Sequence, residues 1–348
     1  MDKMRYEYFA ASNSAGGFVN YFHDVFNSNS CSKIYVVKGG PGTGKSRFMR
    51  DVANEAEARG LTVRYYYCSS DSESLDGIII DEMKVGLLDG TAPHVFEPTL
   101  AGVREQIINL GEFWDEKKLS ERADEIERLS TQKSMAYKRA YALLGACGKL
   151  TEAKDILLSP CVNRPKLSGA VGRWLHRLPA SAAPEKRIGL CRAVGMNGKS
   201  KLDTYENRGG VLFTVGDSYR AAYYFLNLIA AEAWERKMSL EISCDPLMPS
   251  RIDAVCLLDA GITFVAGDGG ERKINVKRFI DESKLKPVKD GIKLLEKEEK
   301  ELEALALSAF SEVREHHFAL EKIYMSAMDF SLKESYTENF IKKLFKKC

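Results

Sequence analysis

The sequence predicts an α/β protein in which one unit occurs twice. Each unit is expected to be a parallel sheet with helices on both faces and a long helical appendage. Three observations carry that expectation. A β-rich run, a glycine-rich loop and an amphipathic helix follow one another between residues 34 and 59. The same order of elements begins again at residue 211. Each pass leads into a long, charged, helix-patterned stretch.

The segment Ile34-Tyr35-Val36-Val37-Lys38 is short, apolar and β-branched, and it ends in glycines, which predicts a buried strand. From Lys45 to Arg59, Phe48, Met49, Val52 and Ala56 fall on one helical face. Gly60 fits the helix C-terminus. Leu61 to Tyr67 alternates toward a second strand, and Ile78–Ile80 and Val85–Leu88 are further strand candidates. Strand, loop, helix, strand is the opening of a parallel α/β sheet. Leu119, Ala123, Ile126 and Leu129 then recur at helical spacing, so the stretch to Leu158 predicts a long helix pair or hairpin. Four prolines between Pro160 and Pro184 mark a boundary, giving expected domains 1–165 and 166–348.

Internal repetition is the second signal. Val211-Leu212-Phe213-Thr214-Val215-Gly216 stands where Tyr35 to Gly40 stood. Glu55, Ala56 and Arg59 match Glu232, Ala233 and Arg236, each 177 positions on (236 − 59 = 177). The same spacing pairs Asp76 with Asp253 and Ile78 with Val255. Phe113-Trp114-Asp115-Glu116-Lys117-Lys118-Leu119 is echoed by Phe279-Ile280-Asp281-Glu282-Ser283-Lys284-Leu285. Ile292, Leu295, Leu302 and Leu305 form the apolar stripe of the second appendage.

Composition narrows the class. The chain has 348 residues, 45% hydrophobic and 29% charged, enough for about two globular cores. A net charge of +2 gives no electrostatic argument for nucleic acid or a membrane surface. The eight cysteines include no Cys-x-x-Cys pair, and the N-terminus lacks an apolar signal core. Without a long apolar run, no transmembrane segment is expected, and reduced thiols in a cytoplasmic protein are.

The chemistry centres on Gly39-Gly40-Pro41-Gly42-Thr43-Gly44-Lys45-Ser46, followed by Arg47, which satisfies the Walker A (P-loop) pattern. Glycines let the backbone turn its N–H groups onto phosphate oxygens, and the helix that follows turns its positive end to the same anion. Lys45 is expected to reach the β- and γ-phosphates of ATP, and Ser46 to bind Mg²⁺. The metal also needs a carboxylate at a neighbouring strand end. Asp89 is preferred, because Asp89-Gly90-Thr91 turns sharply after its strand. Asp81 or Glu82 is the alternative.

In the second copy Lys45 aligns with Ala222 and Asp89 with Ala266, and the loop reads Gly216-Asp217-Ser218-Tyr219-Arg220-Ala221. Lysine and metal carboxylate are lost together, so this copy is expected to be a pseudo-site that binds no Mg-ATP. Gly195-Met196-Asn197-Gly198-Lys199-Ser200 imitates a cradle but has Ala193 where the first glycine belongs, and no clear strand precedes it.

The whole chain resembles a bacterial family of tandem P-loop ATP-binding, nucleotide-kinase-like proteins. The resemblance rests on Lys38 to Ser46, on Cys68-Ser69-Ser70-Asp71 with Ser74-Leu75-Asp76-Gly77, and on Asp89-Gly90-Thr91-Ala92-Pro93-His94. It implies ATP binding and hydrolysis and supplies no substrate. The degraded second loop departs from a symmetric tandem arrangement.

Remaining residues are weighed singly. His94 and Thr91 are candidates to contact the terminal phosphate or an attacking water. Asp71 is a candidate base or a turn cap. Arg47, Arg50 and Arg104 are candidate arginine fingers. His316 and His317 read as surface or core residues, Trp114, Trp174 and Trp234 as packing residues. Phe340 to Lys347 reads as a C-terminal helix docked on its own domain. The functional expectation is slow Mg-dependent ATP hydrolysis in the first half and a regulatory or partner-binding second half, with a protein partner on the helical appendages. The alternatives are a kinase for a small nucleotide-like acceptor and a nucleotide-gated scaffold.

Overall fold

The protein is described here by a computed structural model covering residues 5–92 and 96–346. Strand β1 (Tyr6–Phe9) leads into the hairpin β2 (Ala11–Ser14) and β3 (Gly17–Asn20), then the single turn α1 (Phe22–Val25). The unit continues with β4 (Lys33–Lys38), α2 (Lys45–Ala58), β5 (Val63–Tyr67), β6 (Leu75–Ile80), β7 (Val85–Asp89) and β8 (Glu105–Asn109). It closes with α3 (Glu116–Ser120), α4 (Ala123–Leu158) and α5 (Arg164–Leu175). The chain then repeats: β9 (Lys186–Ile188), β10 (Arg192–Gly195), β11 (Gly198–Lys201), β12 (Val211–Val215), α6 (Ala222–Glu235), β13 (Leu240–Cys244), β14 (Ile252–Leu257), β15 (Ile262–Ala266), β16 (Lys273–Ile274), α7 (Glu282–Leu285), α8 (Lys289–Ser326) and α9 (Phe330–Phe345).

Each unit forms a six-stranded sheet, ordered β1-β5-β6-β7-β4-β8 in the first and β9-β13-β14-β15-β12-β16 in the second. The duplication reaches the register: Val63 pairs with Ile80 and Leu240 with Leu257, and the register slips at Tyr66/Tyr67 and again at Ser243/Cys244. Residues 176–185 link α5 to β9, and the expected boundary at 165/166 falls at the start of α5, whose apolar face lies in the second core.

Three expectations are corrected. The sheets are mixed, not parallel, because β6 and β14 run antiparallel to both neighbours. Residues 81–84 between β6 and β7 are too few for the crossover a parallel pair needs, and Lys84 turns there at φ 50. Helices do not cover both faces equally. α2 and α9 bury Phe48, Met49, Val52, Leu344 and Phe345 on one face of the first sheet. The opposite face meets the second sheet: Tyr8, Phe26, Val36, Ile79 and Leu88 pack with Tyr205, Ala254, Cys256 and Val265. Phe9 and Leu190 exchange backbone hydrogen bonds of 2.8 and 3.0 Å at this joint.

The third correction concerns the appendage. α4 is one 36-residue helix, not a hairpin. It runs antiparallel to α8: Leu129 packs near Leu320 and Ile323, and Lys154 reaches Glu296 and Glu299 at the other end. Gly148 lies where a Cβ would come within 2.4 Å of Ala15, so glycine admits the β2–β3 turn. Each long helix thereby delivers its last segment to the far half, with bridges Val162–Ile280 and Trp114–Met328. α5 packs with α6 on the second sheet, and α9 with α2 on the first. The C-terminal helix is docked, but on the other half's sheet. The seven described cysteines are free and buried, and among the described residues no helix is long and apolar enough to cross a membrane.

Candidate functional site

Residues 39–44 join β4, held between β7 and β8, to the N-terminus of α2. Gly39, Gly42 and Gly44 have φ of 147, 72 and 78°, where a side chain is disfavoured. A Cβ on Gly42 would stand 2.7 Å from the Glu321 carbonyl oxygen of α8, so the loop also has no room for one. Thr43 is buried and donates to the Gly40 carbonyl at 2.9 Å.

Lys45 folds back over the loop and donates to the carbonyls of Gly39 and Gly40 at 2.8 and 2.9 Å. Its ammonium lies 3.5 Å from Asp89 Oδ2. Asp89 ends β7, paired with Val37 of β4, and its Oδ1 accepts from the Thr91 N–H at 2.8 Å. Thr91 Oγ1 in turn donates to the Gly39 carbonyl at 2.8 Å. Ser46 Oγ accepts from the Leu75 N–H at 3.0 Å. The alternatives to Asp89 lie at the opposite sheet edge, because β6 runs the other way. Asp81 pairs there with Arg64 at 2.7 Å, and Glu82 accepts from the Thr62 N–H. His94 and Pro93 lie outside the described residues.

A cavity of about 400 Å³ opens over the loop, lined by residues 41–46, Asp71, Asp89, Lys133, Tyr137, His317 and Glu321 among others. Arg47 is absent from this lining; its exposed guanidinium pairs with Asp51 one turn on, at 2.9 Å. Arg104 pairs with Glu105 at 2.6 Å. Asp71 caps its own turn through Ser74 Oγ at 2.6 Å and also accepts from Asn197 Nδ2 at 3.1 Å. Asn197 belongs to the β10–β11 turn, so the cradle-like residues 195–200 form a hairpin that reaches across to the first half.

Four lining residues were not singled out as site residues by sequence reasoning, or were read otherwise. Lys133 and Tyr137 come from α4, His317 and Glu321 from α8, each pair one helical turn apart. That spacing is legible, but the loop they face is set by the antiparallel pairing of the two helices. Burial, with Lys133 and Lys45 nearby, lowers His317 to about 4 and so keeps it neutral at pH 7. Burial and Asp71 raise Glu321, against the pull of Lys45.

The second half has a cavity of about 300 Å³ in the matching place. Ala222 and Ala266 occupy the Lys45 and Asp89 positions. Asp217 Oδ1 accepts from the Ala222 N–H at 3.0 Å, so the protein's own carboxylate sits at the α6 N-terminus. Among the described residues, no group of three or more His, Cys, Asp or Glu is placed to hold a metal ion. In comparisons with known proteins, residues 20–80 match the family described as Nephrocystin 3, N-terminal. No curated protein and no solved structure matches the chain.

Proposed function

We propose that the chain is a tandem P-loop ATP-binding protein whose first half binds Mg-ATP and hydrolyses it slowly. The observation that carries this reading is the convergence over one glycine loop of the α2 N-terminus, Lys45 and Asp89. Backbone amides and Lys45 would neutralise the phosphates, with positioning and charge supplying catalysis. The residues fit a magnesium ion: Ser46 and Asp89 line the same cavity, and such an ion keeps several of its own waters. Glu321 and His317, which line the same cavity, would orient the attacking water.

Calorimetry with Mg-ATP should give one site per chain, lost in Lys45→Ala, and turnover lost in Asp89→Asn. Unchanged binding in Lys45→Ala removes the cradle. A stoichiometry of two reverses the pseudo-site assignment.

Two observations favour variants of this reading. The cavity extends past the loop to Ser70, Asp71 and Asp76, which is room for a phosphoryl acceptor, as in a small-molecule kinase. ATP consumption that rises with a nucleotide acceptor tests it. Gly40 also lies against Trp114 and Tyr324, and Gly42 against Glu321 and Met325. Nucleotide binding would then shift α8, as in a scaffold gated by ATP, and the signature is tight binding with negligible turnover.

A further inference from the structure

The two long helices start 166 positions apart (289 − 123 = 166), the same spacing that separates Phe113 from Phe279 ahead of them. Lys133 of α4 therefore stands where Glu299 stands in α8. In the second half Glu299 is buried and fully engaged. It pairs with Arg220 of the loop, lies 3.3 Å from Lys154 Nζ and accepts from Thr151 Oγ1 at 3.0 Å. Arg220 itself occupies the position of Thr43, 177 residues on (220 − 43 = 177). Helix carboxylate and loop cation thus neutralise one another.

In the first half the helix charge is reversed and the loop position is neutral. Lys133 lines the cavity with Lys45, yet it makes no hydrogen bond or ion pair among the described residues. Its neighbours one turn away on α4 are Leu129, Ser130, Ala136 and Tyr137, so no carboxylate serves it along the helix as charged helices ordinarily arrange. Burial and the nearby Lys45 push its ammonium below the usual lysine range. In the second half the loop cation meets a helix carboxylate, whereas in the first Lys45 meets Asp89 at 3.5 Å and Lys133 meets no carboxylate within ion-pair distance among the described residues, so an anion entering the cavity would relieve the two ammonium groups.

We propose that Lys133 is a second phosphate-binding cation, reaching from α4 to the phosphate oxygens that Lys45 holds from the loop side. The proposal rests on the nucleotide reading above and assigns the cation that no arginine supplies. The test is Mg-ATP calorimetry and thermal melting of the full chain as Lys133→Ala, Lys133→Arg and Lys45→Ala. Lys133→Ala should weaken Mg-ATP binding about 10- to 100-fold, the range for a lost charge-assisted contact. Lys133→Arg should recover most of it, and the nucleotide-free melting midpoint should hold or rise. Wild-type affinity in Lys133→Ala, with binding lost in Lys45→Ala, overturns Lys133 and leaves the loop reading intact. A fall in the nucleotide-free midpoint that Lys133→Arg does not restore makes the residue structural and also overturns it. Absence of binding in the unsubstituted chain removes both.

Discussion

Between β4 and α2 the first loop places three glycines at positive φ and turns Lys45 toward Asp89. Between β12 and α6 the second loop keeps the same entry and exit but fills them differently. Tyr219, 177 positions beyond Gly42, retains a left-handed φ of 59°, and Arg220 follows at 53°. Asp217 caps the helix that would otherwise present its amides to an anion, and Glu299 takes the loop cation. One scaffold therefore carries two charge arrangements. The first leaves Lys133 at its cavity without an ion pair among the described residues, and the second pairs Arg192, Arg220 and Arg251 with Asp253, Glu299 and Asp155. Charge that the first half turns toward its cavity is paired internally in the second, and the two halves should respond in opposite ways to the same kind of substitution.

The sharpest contrast is at the matched helix positions. Glu299→Ala strands Arg220 and buried Lys154, and removing one partner of a buried charge cluster costs about 3–5 kcal/mol. Lys133→Ala removes a charge that stabilises nothing in the free protein, so urea unfolding should give a change within about 0.5 kcal/mol. Equal losses at the two sites would end the contrast.

Next comes Gly42→Ala. Its φ of 72° and the 2.7 Å approach to Glu321 strain any side chain, at a cost of roughly 1–2 kcal/mol. The added methyl also pushes the loop from α8, so ATP binding should fall with stability. A variant that melts normally and binds normally would mean the loop and α8 are not tightly apposed.

A pH titration separates the halves by a third route. His317 lies near 4 when folded against an ordinary 6.5. Between those values the unfolded chain binds a proton that the folded chain refuses. Stability present above pH 6.5 is therefore lost as pH falls toward 4. Glu321, shifted upward, contributes the opposite slope, and Lys45, Lys133 and Asp71 also face the ring. The measurement is accordingly the difference between the chain and His317→Gln, which should lose less stability on acidification. Bound phosphate should draw His317 upward, giving proton uptake on Mg-ATP binding near pH 5.5. No difference between the two proteins across pH 4–6.5 would place the ring outside this field.

What the sequence made legible follows the range of the forces involved. The strand, glycine loop and helix at 34–58 are fixed by neighbours in the chain, and so is the sharp turn that leaves Asp89 at the sheet edge. The direction of β6 was not legible from its Ile78–Ile80 pattern, since a buried strand is apolar on both faces whichever way it runs; the short 81–84 turn decides it. The exchange of α5 and α9 between halves depends on the reach of α4 and α8, a tertiary length no local pattern encodes. Arg47 follows Ser46 directly in the chain, yet on the helix its guanidinium turns to Asp51, a direction the loop pattern does not encode. Lys133 and His317 become readable when the two long helices are aligned and paired antiparallel, because the loop each one faces is otherwise unspecified.

The smallest effect is the most direct check on the second loop's history. A left-handed conformation costs an L-residue about 1–2 kcal/mol relative to glycine's freedom, and Tyr219 adopts one where the first half has Gly42. Tyr219→Gly removes that strain but also loses the partial packing of the ring against the second core and adds chain entropy to the unfolded state. The terms oppose, and the strain is the larger for a ring that is only half-buried. The expected outcome is a gain of about 0.5 kcal/mol in unfolding free energy, with no Mg-ATP site created, because Asp217 still caps α6 and Ala222 still lacks an ammonium. A loss of 1 kcal/mol or more would show that the tyrosine ring, not the inherited turn, holds the loop in place.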